Sequence, residues 1–140
     1  MDIFTPHYSN LLLAQSLFVV FFLRMALAAV FLAHGMPKLR NLKNTWQMFE
    51  GMGFRPGRVW GTLVAILEGV GGTFLLLGIL TQYIALLLAI QMAVAFFWRI
   101  KKRHAFINGY ELDLVLIAGL LVLVTQGSGA FALGILWGLF

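Results

Sequence analysis

The chain contains no cysteine, which excludes disulfides, thiol redox chemistry and thiolate-held metal or iron-sulfur centres. Charge of either sign is sparse, at 11% of 140 residues. The first ten residues, MDIFTPHYSN, include no Lys or Arg. They therefore lack the basic start of a signal peptide, and the first apolar run is expected to be a retained helix. The long apolar runs lack apolar and polar alternation, which argues against transmembrane strands. What fills the chain instead is apolar: 61% hydrophobic and 14% aromatic residues, too much for a soluble domain of this length. Crossing a hydrocarbon core takes about 20 apolar residues as a helix. The expected fold class is all-α, a single domain over 1–140 built as a membrane four-helix bundle with a short apolar tail.

Helix 1 is expected from about Leu11 to His34, helix 2 from Val59 to Ile79, helix 3 from Thr81 to Trp98 and helix 4 from Leu112 to Gln126. Pro37 and Pro56 punctuate the first long loop. The connection GILTQ is so short that helices 2 and 3 must form a tight antiparallel hairpin. The sequence GSGAFALGILWGLF breaks at Gly127–Gly129 and resumes as a tail that either continues helix 4 or lies at the interface. Lys38, Arg40, Lys43, Arg55 and Arg58 follow helix 1, and Arg99, Lys101, Lys102 and Arg103 follow helix 3. Basic loops stay on the cytoplasmic side. Loops 35–58 and 99–110 are thus expected in the cytoplasm and both termini outside it, in the cell (inner) membrane. The net charge of +5 is explained by orientation and anionic lipid, so the expected partner is the bilayer rather than nucleic acid.

One cation interrupts the first run, in VVFFLRMALAAVFLAHG. Arg24 lies ten residues before His34 and Glu68 ten residues after Arg58, each about 15 Å from the cytoplasmic face at the helical rise. A charge at that depth needs an internal partner, and Arg24 with Glu68 is the economical pairing. Gln91 lies on helix 3 at a similar depth and extends this layer. Gly71 and Gly72, beside Glu68, allow a helix or a flat ligand to approach closely. Nearer the cytoplasmic face, His34, Lys38, His104, Glu111 and Asp113 form a polar group suited to relaying protons or binding a polar head. Equally, Glu111 can serve as a helix-start anchor paired with Lys38 or Arg103. His34 and His104 do not face each other within helical cores, so no metal or haem ligation is expected.

In order and spacing, these residues resemble the DoxX family of small four-helix membrane proteins, including DoxD-like quinone-linked subunits. The matching set is Arg24, Phe31, His34, Gly35 and Lys38 (FLAHGMPKL), Phe49 and Gly53, then Glu68, Gly71, Gly72 and Gly78 (LEGVGGTFLLLGILT). It continues with Met92, Ala95, His104, Gly109 and Glu111 (HAFINGYELDL), Gly127 and Gly129, covering about residues 17–134. Many relatives carry Ser-Leu-Asp after the last glycine pair, where this chain reads AFALG. The resemblance implies a membrane component of an oxidoreductase system, without making the chain itself an enzyme.

Two functions fit. In the first, Arg24 donates a hydrogen bond to a quinone or other lipophilic ligand, with Glu68 moving protons between it and His34, Lys38, His104 and Glu111. Arg24 and Glu68 are then the catalytic pair, with Gln91, Gly71 and Gly72 completing the ligand site under Phe21, Phe22, Phe31 and Phe74. Electrons must come from a partner or bound cofactor. In the second, the chain is a non-catalytic accessory or assembly subunit of a larger respiratory complex, or a homo-oligomer, and the buried pair only fixes helix packing.

Overall fold

The computed structural model describes the backbone of residues 6–134 and the side chains of residues 15–134. Among the described residues five α-helices follow one another: α1 (Pro6–Arg40), α2 (Leu42–Met52), α3 (Gly57–Leu77), α4 (Thr81–Lys101) and α5 (Glu111–Gln126). Among the described residues four stretches are long and apolar enough to cross a membrane: α1 from Gln15, α3, α4, and Phe106–Gln126, which contains α5. The expected all-α bundle is the fold observed. Its core is apolar and includes Leu27, Ala28, Phe31, Leu75, Leu88, Leu120 and Leu123.

The first expected boundary needs correction. Helix 1 does not end at His34 but continues through Pro37 to Arg40. Proline removes one helical N–H, and Pro37 and Ala33 lie on an exposed face of the helix. The stretch read as loop also holds α2. Asn41 caps this helix, its side chain accepting from the Asn44 N–H at 3.2 Å. Thr45 and Phe49 are its buried face. The Trp46 indole donates to Thr62 Oγ1 at 2.8 Å and the Trp98 indole to the Met52 carbonyl at 3.2 Å, tying α2 across α3 and α4. The two basic connections therefore share one end of the bundle.

Glycines set the register between α1 and α3. A methyl group on Gly35 would stand 2.3 Å from the Gly69 nitrogen, and one on Gly72 would stand 3.1 Å from Leu32. Small residues let the two backbones touch here, the usual device where lipid provides no hydrophobic drive between helices. In contrast, α3 and α4 are joined only by the turn at Gly78–Leu80 and meet more sparsely than α1 with α3 or α4 with α5. Beyond α5 the chain does not continue straight. Gly127 (φ 77°) and Gly129 (φ 68°) turn it back across the bundle end, where the Ala130 N–H donates to the Leu17 carbonyl at 3.1 Å. Residues 135–140 of the expected tail lie outside the described residues.

Candidate functional site

Because Gly35 sits against Gly69, the residues of α1 level with Glu68 are those near Gly35, not Arg24. Arg24 lies eleven residues away along α1, about 16 Å at the helical rise. The expected Arg24–Glu68 pair is therefore not formed. It failed because depth was counted from a helix end at His34, whereas α1 runs on to Arg40 and is staggered against α3.

Arg24 is fully buried at the opposite end of the bundle. Its NH1 donates to the carbonyls of Leu75 (2.8 Å) and Leu76 (3.0 Å), and its NH2 to those of Ala130 (3.1 Å) and Phe131 (3.3 Å). The last carbonyls of a helix lack intrahelical donors and carry its partial negative charge. Arg24 thus supplies donors to the end of α3 and fastens residues 130–131 to it. Gly78 makes room: it ends α3 with φ 70°, and a side-chain carbon there would lie 2.7 Å from Arg24 NH1. Phe21 packs on the guanidinium at 5.4 Å and edge-on to Phe131 at 5.6 Å. This is a structural clamp, and Phe21 belongs to it rather than to a ligand site.

Glu68, 4% exposed near the middle of α3, takes its partners from two other helices. Lys38 Nζ donates to Oε2 at 2.5 Å and Gln91 Nε2 to Oε1 at 2.7 Å. The stagger that carries Arg24 away is what brings Lys38 within reach. A second ion pair joins α4 to α5: Arg99 NH1 donates to Asp113 Oδ1 at 2.9 Å and to the Gly109 carbonyl at 2.8 Å. Asp113 is 3% exposed.

Both pairs line one cavity of about 820 Å³, in the half of the bundle that carries α2. Its walls are apolar apart from Lys38, Glu68, Gln91, Arg99, Asp113 and His34, with Phe31, Phe49, Phe54, Trp60 and Trp98 as its aromatic surfaces. Met48, Phe49 and Met52 of α2 close its floor. Trp60 and Leu63 of α3 and Leu87, Ile90 and Val94 of α4 rim it and are also exposed on the outer surface of the bundle. The cavity edge thus lies beside apolar residues of α3 and α4 that are exposed on the bundle surface.

The other expected site residues fall elsewhere. Gly71 packs against Ile84 and Leu88, and Gly72 against Leu32 and Phe31, so both serve helix contacts and neither lines the cavity. His104 is exposed and stacks on Trp98 at 5.8 Å, outside the lining. Glu111 accepts the Asn108 backbone N–H at 2.9 Å. It lies at the first position of α5, and among the described residues the expected pairing with Lys38 or Arg103 is not formed.

The arrangement is an apolar chamber with two carboxylates held by cations in its walls. The class defined is a multi-pass helical membrane protein. Residues 19–99 match the DoxX family model, and the chain belongs to the DoxX family. A Bacillus subtilis protein named "Putative oxidoreductase CatD" is 26% identical over 111 residues, 79% of this chain and 81% of that protein. A Haemophilus influenzae protein named "Uncharacterized protein" is 34% identical over 117 residues, 80% of this chain and 85% of that one. No solved structure matches significantly.

Proposed function

We propose that the chain is the membrane component of an oxidoreductase system and that its cavity holds the headgroup of a quinone, entering from lipid between α3 and α4. The observation that carries this reading is the Lys38–Glu68–Gln91 set in the wall of an otherwise apolar chamber of about 820 Å³. The name of the Bacillus subtilis relative, an oxidoreductase, supports the same direction. Glu68 is the proton-exchanging group, and His34 and Lys38 connect it toward the loop end of the bundle. Electrons come from a partner subunit docked at the membrane, since the chain has no cysteine for a metal-sulfur centre. Arg24, with four carbonyls on its terminal nitrogens, takes no part in the chemistry.

The test is extraction. Wild-type protein isolated in native lipid discs is expected to carry quinone in amounts comparable to protein. Ala95→Phe, which fills the cavity from α4, is expected to lose it without a lower melting temperature. Equal quinone in both would put the molecule in bulk lipid and leave the accessory-subunit reading, in which the two ion pairs only fix packing.

The same reading sets the protein in the cell membrane with both termini outside the cytoplasm, on the strength of its basic loops. The natural absence of cysteine makes this simple to check. An impermeant maleimide is expected to label Lys101→Cys only after the cytoplasmic side is opened. Labelling of intact cells would reverse the orientation.

A further inference from the structure

We infer that the redox partner docks on the loop end of the bundle, over the turn between α4 and α5, and meets this chain with an acidic surface. This rests on the proposed quinone site and names where its electrons enter and what kind of protein brings them.

Charge is the first observation. Arg40, Lys43, Arg55, Arg58, Lys101, Lys102 and Arg103 are all exposed, and all belong to the two basic connections that share one end of the bundle. Among the described residues none of them forms an ion pair, because the two pairs present use Lys38 and Arg99. The carboxylates of these connections are Glu50 and Glu111, and each already accepts a backbone N–H, that of Gly57 at 3.2 Å and that of Asn108 at 2.9 Å. Seven cations thus stand against two anions. A surface so strongly of one sign draws an oppositely charged protein and raises its rate of encounter.

Position is the second observation. Orientation in the membrane accounts for the sign of these loops but not for where they lie relative to the cavity. Lys101, Lys102, Arg103 and His104 are consecutive and exposed, and two of them pack on Trp98: Lys102 Nζ lies 6.0 Å from its ring centre and the His104 ring 5.8 Å. Trp98 is also a wall of the cavity. Its indole is held by the Met52 carbonyl at 3.2 Å, and its ring meets Phe54 at 6.2 Å, which meets Phe49 at 5.9 Å, both of them cavity walls as well. One side chain therefore reaches from the basic surface to the chamber. Anionic lipid would serve cations anywhere around the bundle end, whereas an electron donor must come close to the quinone, and this turn is where cations and cavity wall coincide.

The step at this surface balances simply. A reduced flavin or iron–sulfur protein passes two electrons to the bound quinone, which takes up two protons by way of Glu68 and leaves as the quinol, and the partner's cofactor is left oxidised. Encounters of this kind bury little surface and are sensitive to salt.

The test uses the full chain in discs of phosphatidylcholine loaded with decylubiquinone, with photoreduced flavodoxin, an acidic flavoprotein, as the probe. Anaerobic rapid mixing follows reoxidation of its flavin, and the rate in protein-free discs is subtracted. Raising salt from about 0.02 to 0.3 M is expected to slow the wild type at least about tenfold. Lys101→Glu combined with Lys102→Glu is expected to lose a similar factor at low salt, with quinone content and melting temperature unchanged. The matching reversal on the other basic connection, Arg40→Glu with Lys43→Glu, is expected to cost less. Equal rates in the turn variant and the wild type, or no reduction above protein-free discs, overturn the inference. A larger loss from the Arg40 and Lys43 reversal overturns the placement over the α4–α5 turn. If the turn variant keeps its rate but is no longer stabilised by added phosphatidylglycerol, the surface is a lipid contact and the inference falls. Discs in which the protein retains no quinone overturn the quinone site itself, a separate failure.

Discussion

Arg24→Ala is expected to be the most destabilising single change outside the apolar core. It strips donors from four carbonyls at once, those of Leu75, Leu76, Ala130 and Phe131. The Leu75 contact is buried and keeps only the Gly78 N–H, while the other three are part-buried and regain some hydration. Unpaired buried polar groups cost about 1–3 kcal/mol each, and partial relaxation of residues 130–134 recovers some of that. A net loss of about 3–5 kcal/mol is the expected scale. It is read as a fall in melting temperature and in the denaturant midpoint in detergent. Arg24→Lys is expected to fall between, since a compact ammonium keeps the charge but cannot fork to both backbone segments. The fraction of Arg24→Ala that folds is expected to bind quinone like wild type, because the clamp lies at the far end of the bundle from the cavity. A variant of unchanged stability that fails to bind would instead return Arg24 to the ligand site.

Glu68→Gln is expected to behave in the opposite way. The substitution keeps the shape of the side chain but removes the anion that holds Lys38. Quinone affinity is expected to drop about tenfold or more, the scale of losing one charge-assisted contact. Stability is expected to fall by only about 1–2 kcal/mol, because Lys38 is partly exposed and its ammonium can turn to solvent. Adding Lys38→Met removes the stranded cation, so the double variant is expected to be more stable than Glu68→Gln alone. It is not expected to recover binding. If the double variant instead bound quinone normally, neither residue would contact the ligand.

These two substitutions also mark what the sequence revealed and what it did not. The four membrane crossings were legible because uninterrupted apolar length is a strong signal, and the basic loops announced which helix ends lie together. Glu68 and Gln91 were rightly placed in one layer, since both could be counted inward from well-marked starts at Arg58 and Arg99. Counting depth from His34 misplaces Arg24, because α1 runs on through Pro37 to Arg40. The glycines could have corrected the register: Gly35 on α1 and Gly69–Gly72 on α3 are the small residues at which those helices touch. Likewise, α2 had a readable pattern, with Leu42, Trp46 and Phe49 at helical spacing behind a capping Asn41. The partners of Arg24 had no comparable signal. They are backbone carbonyls, which every sequence contains, exposed here only because Gly78 ends α3 and Gly127 and Gly129 fold the chain back over it. The pairing of Asp113 with Arg99 was equally hidden, since it depends on how the irregular turn at Phe106–Tyr110 brings α5 back against α4.

The carboxylate on α3 answering to the cation at the end of α1, rather than to the one near its middle, is what the cavity and the clamp both require. Two double-mutant cycles on unfolding free energy compare the alternatives directly: Lys38→Met with Glu68→Gln, and Arg24→Met with Glu68→Gln. A coupling of about 1 kcal/mol or more is expected in the first cycle and additivity within about 0.5 kcal/mol in the second. Coupling between Arg24 and Glu68, with none between Lys38 and Glu68, would contradict this pairing.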